Sequence, residues 1–298
     1  MRVFLGMILF ILLIPAAQAS DAAERPEADG ILYKITHPEQ AKPSYLFGTM
    51  HLMKSGYLAK WPRVQEAFQA ADRVMVETVI DSSKLMEIGQ MAMMRSTTYG
   101  KLYDSATLDT LNRYLKAKLP MPTATLKRMK PIQLSILTAQ QAYQQVKSPL
   151  KSADGISVDQ HFAAQGEKQG KTILTLETMM EQAEMLFNGL SIDKQAEMLI
   201  KQVRKGDEVR SFTRKLLDRY KNRNLAGLHE LYEQEDFATQ NMGFLVEERN
   251  KDWITDLKKP LKKGNTFTAV GALHLPGEEG LLSLLKQEGF EVQPLSVK

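Results

Sequence analysis

Two copies of a Gly-x-x-His motif are the residues of this sequence best suited to chemistry. The first copy places His51 three residues after Gly48, and the second places His274 three residues after Gly271. The chain has only five histidines, and an imidazole can ligate a divalent metal or transfer a proton near neutral pH. The motifs therefore predict a metal site or an acid–base site, provided that the fold brings the two copies together.

Each motif lies between a predicted strand and a predicted helix. Apolar, β-rich runs over residues 45–47 and 267–270 precede the two glycines. After the first motif, a helical pattern over residues 62–72 leads into a strand over residues 73–77. Ligands of open α/β sheets bind beyond the carboxyl ends of the strands. Two neighbouring copies in one sheet would therefore place both imidazoles over one crevice.

Carboxylates end two further predicted strands. Glu77 ends the strand that returns parallel to the first, so we expect it to face the same crevice as His51. Glu177 ends a third predicted strand, over residues 171–177.

Four more side chains are candidates for the site or its support. Asp159 and His161 lie on a predicted helix; Asp159 is a candidate buried hydrogen-bond partner, and a structural role is favoured for His161 over site lining. Arg249 lies one helical turn before Trp253, which could hold the guanidinium towards the crevice. We also expect Gly48 and Gly271 to be turn glycines that need positive φ, whereas Thr49 should be replaceable.

The N-terminus predicts export. Residues 1–19 comprise a charged start, a short apolar stretch and the cleavage pattern Ala17-Gln18-Ala19, as in a signal peptide, so the expected location is the bacterial periplasm or the medium. No later stretch predicts a membrane anchor after cleavage. The net charge of +4 is spread over scattered Lys and Arg, which argues against nucleic acid as a partner. With no cysteine, any metal must be held by His and carboxylates.

The pattern as a whole predicts an α/β protein, α+β in detail. Its sheet would be built from the two β-GxxH-α-β repeats at the ends of the chain. Residues 20–298 would form one domain, in which mainly helical insertions over residues 82–150 and 178–258 cover one edge of the sheet.

Several segments in order along the chain carry a family resemblance. The sequence resembles the TraB/GumN family, which is related to the Tiki proteases, at residues 47–52, 76–77, 158–162, 175–178, 248–253 and 270–277. The resemblance implies a metal-dependent hydrolase in which His51 and His274 are metal ligands and Glu77 is the acidic site residue. It also matches Arg249 and Asn250 to an Arg-Asn element of the family.

These expectations combine into a hydrolase mechanism. His51, His274 and Glu77 would hold a divalent ion (manganese, cobalt or zinc) that activates water, and Arg249 would stabilise the developing oxyanion. The substrate would be a peptide or a small molecule. Two alternatives stay open: a metal-free esterase-like hydrolase with His as general base and a carboxylate orienting it, and a binding or scaffold protein without turnover.

Overall fold

The computed structural model describes residues 30–51, 53–206, 208–233 and 243–298. The predicted signal peptide, residues 1–19, lies outside the described residues. The described chain divides into two compact units. We call residues 81–147 and 179–215 the helical unit, and residues 30–80, 148–178 and 216–298 the sheet unit.

The sheet unit is built on six strands in the order β4-β3-β5-β2-β1-β6. The strands β4, β3, β5 and β2 are mutually parallel neighbours, and β1 runs antiparallel to both β2 and β6. The strand bounds are β1 Leu32–Thr36, β2 Ser44–Thr49, β3 Arg73–Val76, β4 Thr172–Thr175, β5 Thr266–Gly271 and β6 Glu291–Leu295.

Burial follows the position of each strand in the sheet. Every residue of β5 is buried and so is all of β2 except Tyr45, as expected for central parallel strands that are covered on both faces. The edge strands β4 and β6 are largely exposed, and β6 contains Pro294, which an edge strand tolerates because it needs fewer backbone donors.

Six α-helices belong wholly to the sheet unit: α1 Pro62–Ala70, α7 Pro149–Ser152, α8 Val158–Lys168, α12 Leu225–Glu233, α13 Glu247–Lys262 and α14 Leu281–Gln287. Pro62 occupies the first turn of α1, where its fixed φ favours the helix and no amide hydrogen is needed. Gly166 lets α8 approach the sheet closely, because a Cβ there would come within 2.6 Å of Ile173 and 3.1 Å of Val74.

The helical unit contains α2 Leu85–Met91, α3 Tyr99–Leu102, α4 Ser105–Lys118, α5 Thr123–Leu126, α6 Pro131–Gln145, α9 Met179–Asn188 and α10 Ile192–Lys205, while α11 Glu208–Lys221 contributes residues to both units. Its core packs apolar side chains of α4 and α6 against those of α10, including Leu111, Leu134 and Leu199. This burial gives the unit a hydrophobic centre of its own.

The structure confirms the α/β class and the repeat organisation. The first strands of the two repeats, β2 and β5, are adjacent and parallel, with Thr49 opposite Gly271 in the register. The second predicted insertion is divided differently: residues 179–215 belong to the helical unit, but residues 216–258 belong to the sheet unit. Helical periodicity alone could not separate them, because both stretches are helical.

Candidate functional site

Four parallel strands bring the predicted site residues to the same edge of the sheet. Their order is β4-β3-β5-β2, and Glu177, Glu77, His274 and His51 follow the ends of these strands in that order. The second histidine sits in a single 3-10 turn, Ala272–His274, that starts where β5 ends. The strands therefore place all four side chains at one carboxyl edge, as their positions in the sequence predicted.

Glu77 is buried and accepts hydrogen bonds from two directions. Its Oε1 accepts from the backbone N–H of Gly271 at 2.6 Å, and its Oε2 accepts from Nη2 of Arg249 at 2.9 Å. Burial opposes ionisation of Glu77, but the charges of Arg249, His274 and His51 and the Gly271 hydrogen bond together lower its pKa to about 2. Glu77 is consequently a carboxylate at neutral pH.

Arg249 uses all five of its N–H donors within the protein. Nε donates to Glu177 at 3.1 Å; Nη2 donates to Glu177 at 2.6 Å and to Glu77 at 2.9 Å. Nη1 donates to the carbonyl of Leu245 at 3.0 Å and lies 3.1 Å from Nε2 of His274. A guanidinium has five N–H donors in total. In this arrangement Arg249 has none left for an oxyanion, so the expected oxyanion role does not follow from the geometry.

Trp253 packs against this guanidinium as the sequence spacing predicted. The centre of the guanidinium lies 4.3 Å from the centroid of the Trp253 ring, and the same ring lies 4.5 Å from that of His274. An arginine over an indole face at this distance forms a cation–π contact. One side chain from α13 thus fixes the positions of two site residues.

His274 is a buried, neutral imidazole of defined tautomer. The side-chain NH₂ of Asn250 donates to the carbonyls of His274 and Glu279, so its amide oxygen faces Nδ1 of His274, 2.7 Å away. Because an amide oxygen only accepts, we assign the proton to Nδ1 and a lone pair to Nε2. Burial, and then the Arg249 charge, lower the pKa of His274 to about 3, against the opposing effect of Glu77.

His51 forms an ion pair with a carboxylate. Its Nδ1 lies 2.9 Å from Oδ2 of Asp159, whose Oδ1 accepts a hydrogen bond from the hydroxyl of Thr49. Burial disfavours the charged imidazole, but the charge of Asp159 and its hydrogen bond outweigh burial and raise the pKa of His51 to about 9. Asp159 is therefore the partner that the sequence suggested. Thr49 is part of the same chain of contacts, rather than the replaceable spacer we expected.

Two further residues complete the description of this edge. The hydroxyl of Tyr220, a fully buried residue of α11, donates to the carbonyl of Gly48 at 2.8 Å, just before the first histidine turn. No local sequence signal predicts this hydrogen bond, because its two residues lie 172 positions apart. His161 packs its ring 5.6 Å from that of Phe162, and it cannot face the same way as Asp159 because residues two apart on a helix point in different directions.

The two motif glycines are not needed for positive φ. Gly271 has φ −53°, and Gly48 is not among the described glycines of positive φ, so that expectation was wrong. Gly48 instead allows close packing: a Cβ there would lie 3.1 Å from both Ala272 Cα and Leu275 Cδ2, which is closer than most Cβ contacts. The first motif thus packs its glycine directly against the turn of the second.

The comparison with family models agrees with this arrangement. Residues 31–294 match the model of the TraB/PrgY/gumN family, a range that includes both histidine turns. The chain belongs to this family. No curated protein matches the chain. In the described ranges of this TraB/PrgY/gumN protein, no helix is both long enough and apolar enough to cross a membrane.

The donor atoms of His51, His274 and Glu77 suit a divalent metal, but Arg249 contacts two of these three residues, His274 and Glu77. Both imidazoles have Nδ1 next to a side-chain oxygen, an arrangement that orients metal-binding histidines through Nε2. Glu77 Oε1 lies 3.9 Å from Nε2 of His274. With Glu77, the two imidazoles would form a set of three protein ligands, two nitrogen donors and one carboxylate. Within the described ranges no three such side chains form a ready-made metal site.

Proposed function

We propose that this chain is a metal-dependent hydrolase that acts on peptides and whose water-activating centre contains His51, His274 and Glu77. The observation that carries the proposal is the matched anchoring of the two imidazoles. Each has Nδ1 against a side-chain oxygen, at 2.9 Å for His51 and 2.7 Å for His274, so an ion would bind each imidazole through Nε2. A purely structural histidine pair has no need of this shared orientation.

The proposed ligands are Nε2 of His51, Nε2 of His274 and the carboxylate of Glu77. A divalent ion bound there would supply Lewis acidity and lower the pKa of a bound water. Manganese, cobalt and zinc all accept imidazole and carboxylate donors, so all three are candidates. The identity of the donors, with no thiol in the chain, supports this group of metals.

The other site residues have supporting roles in this proposal. Asp159 and Asn250 fix the orientation of the two imidazoles, and the Gly271 N–H holds one oxygen of Glu77. Glu177 pairs with Arg249 and belongs to the same charge network. A substrate carbonyl would therefore need hydrogen-bond donors other than Arg249, whose N–H groups are all used in this arrangement.

The His51–Asp159 pair favours one second candidate, a metal-free hydrolase in which His51 is the general base and Asp159 orients it. A carboxylate on Nδ1 is the arrangement such a base requires. The raised pKa of His51, about 9, would keep this base protonated at neutral pH. A metal-free enzyme of this kind should therefore work best in alkaline solution.

Metal content and activity with and without a chelator separate these functions. Purified protein would be assayed on unbiased peptide and ester libraries, before and after chelation and after return of each metal. The metal-dependent proposal predicts hydrolysis that chelation abolishes and one metal restores. Chelator-resistant hydrolysis that is lost in His51→Ala supports the metal-free candidate, and a bound metal without hydrolysis of any library supports a binding or scaffold role.

We also propose that the protein is exported. The support is the signal-peptide pattern of residues 1–19, with predicted cleavage after Ala19. Intact-mass measurement of protein from the periplasm or medium tests this proposal. A mature chain that begins at Ser20 supports it, and a chain that keeps Met1 contradicts cleavage and indicates a membrane anchor.

A further inference from the structure

His274 has only one nitrogen lone pair available to a ligand. Its Nδ1 carries the proton that faces Asn250, and its Nε2 accepts from Nη1 of Arg249 at 3.1 Å. A single lone pair cannot accept that hydrogen and bind a metal at the same time. Any ion that binds His274 must therefore break the contact with Arg249.

Arg249 also holds the proposed carboxylate ligand. Its Nη2 donates to Glu77 at 2.9 Å, and both side chains are about 95% buried, with 5% exposed in each. Buried carboxylates need a cation nearby, and the guanidinium supplies one positive charge to Glu77 and Glu177 together. A divalent ion at Glu77 would take over this neutralisation and would repel the guanidinium.

Glu177 can stay paired with the guanidinium when the contacts with Glu77 and His274 are lost. Nε and Nη2 of Arg249 lie 3.1 Å and 2.6 Å from the two oxygens of Glu177, which is a side-on, bidentate pair. The Leu245 carbonyl, 3.0 Å from Nη1, is a further partner that is not a proposed ligand. Arg249 can thus leave Glu77 and His274 without losing its carboxylate partner.

We propose that Arg249 is the internal counter-ion of the metal-free centre: it holds Glu77 and His274 until a divalent ion displaces it towards Glu177. The inference rests on the proposed function, because it assumes that these two residues bind the ion. It makes metal affinity the outcome of a competition between two cations. The guanidinium and the metal ion compete for Glu77 and His274, and each weakens the binding of the other. Removing the guanidinium must therefore tighten metal binding.

Zinc titration by calorimetry tests this competition. The proteins are the full-length wild type, Arg249→Met, which keeps a long unbranched side chain without charge, and the control Arg113→Met on an exposed position of α4. Arg249→Met should bind zinc at least about tenfold more tightly than wild type, within the usual range of coupling between sites. Arg113→Met should match wild type. Equal or weaker zinc binding by folded Arg249→Met overturns the inference.

A second measurement uses the wild type and avoids any folding defect of the variant. The Arg249 guanidinium hydrogens are buried in hydrogen bonds, so their exchange with solvent, followed by nitrogen-15 NMR, should be slow without metal. Saturation with zinc should speed exchange at the Nη hydrogens, because two of their partners are lost. Unchanged slow exchange in the zinc-saturated protein overturns the inference.

The outcomes separate this inference from the proposed function. Zinc binding by wild type that needs both His51 and His274, without tighter binding in Arg249→Met, leaves the function standing and removes the counter-ion role. Absence of binding in both proteins, with zinc and in repeat titrations with manganese and cobalt, contradicts the proposed function and the inference together. Zinc binding by Arg249→Met alone would show that the guanidinium blocks the ion and is not displaced by it, which overturns the inference.

Discussion

The two histidine turns have the same motif and opposite electrostatics. His51 follows β2 and faces the carboxylate of Asp159, whereas His274 follows β5 and faces the amide of Asn250. Loss of solvent contact disfavours the charged form of both imidazoles, yet the pKa of His51 is raised to about 9 and that of His274 is lowered to about 3. The partner of Nδ1 and the nearest charge therefore decide the protonation state, and the motif itself does not.

The two halves of the site also differ in the group that carries the positive charge. His51 belongs to an ion pair in which the imidazole is the cation, with Thr49 on the far side of Asp159. His274 belongs to a network whose cation is Arg249, with Glu77 and Glu177 as its anions. A metal shared by the two histidines would join a neutral ion pair to a half in which one cation faces two carboxylates.

The largest effect should come from removing the cation of the His274 half. Arg249→Met removes the guanidinium that pairs with Glu77 and Glu177, and breaking a buried ion pair costs about 3–5 kcal/mol. Urea denaturation with chelator present measures this loss of unfolding free energy. Arg113→Met, an exposed control, should change it by less than about 0.5 kcal/mol. A similar small change in Arg249→Met would show that the network is not a structural unit.

The His51 half should make the stability of the metal-free protein depend on pH. The folded pKa of about 9 lies above the ordinary value of 6.5, so the stabilisation is fully present below pH 6.5 and is lost as the pH rises through 9. The loss should be about 3 kcal/mol as an upper bound, from 1.36 kcal/mol per pKa unit. Denaturation across this range in wild type and Asp159→Asn is the measurement. An equal decline in Asp159→Asn would assign the effect to other groups.

Replacing either Nδ1 partner by the residue type of the other should bring the pKa values of the two histidines closer together. Asp159→Asn removes the charge that raises the pKa of His51, so burial should then lower that pKa below 6.5. Asn250→Asp should move the pKa of His274 upwards from about 3. NMR titration of the imidazole carbons measures both. Unchanged values in either variant would mean that burial or another charge sets the protonation state.

The smallest expected effect concerns the support of the first turn. Tyr220→Phe removes the hydrogen bond to the Gly48 carbonyl while keeping the ring that packs 5.7 Å from Trp61. The unfolding free energy should fall by about 1 kcal/mol, the usual net value of such a bond. Tyr114→Phe on α4, in the other unit, is a same-chemistry comparison at a half-buried position. No loss in Tyr220→Phe would show that this carbonyl is satisfied without the hydroxyl.

Much of this fold could be predicted because its signals are local. Apolar runs predicted the central strands, Pro62 predicted the start of α1, and the repeat predicted that β2 and β5 are neighbours. The ends of parallel strands then had to share one edge of the sheet, which placed His51 and His274 together with no knowledge of packing.

The remaining features depend on contacts between distant parts of the chain. Nothing near Arg249 in sequence shows that all five of its donors are used, because two partners, Glu77 and Glu177, follow the distant strands β3 and β4. The same holds for Tyr220, which reaches Gly48 across 172 positions. The expectation of positive φ failed because close packing also selects glycine, and a sequence does not distinguish the two reasons.

The most direct test of the central claim is metal stoichiometry. Wild type, His51→Ala and His274→Ala would be titrated at neutral pH with manganese, cobalt and zinc, with bound metal measured per folded chain. The account predicts one bound ion per wild-type chain for at least one of these metals, and loss of that ion in each variant, because a site with three protein ligands depends on every one of them. Unchanged stoichiometry in both variants, or no bound ion in the wild type, would contradict it.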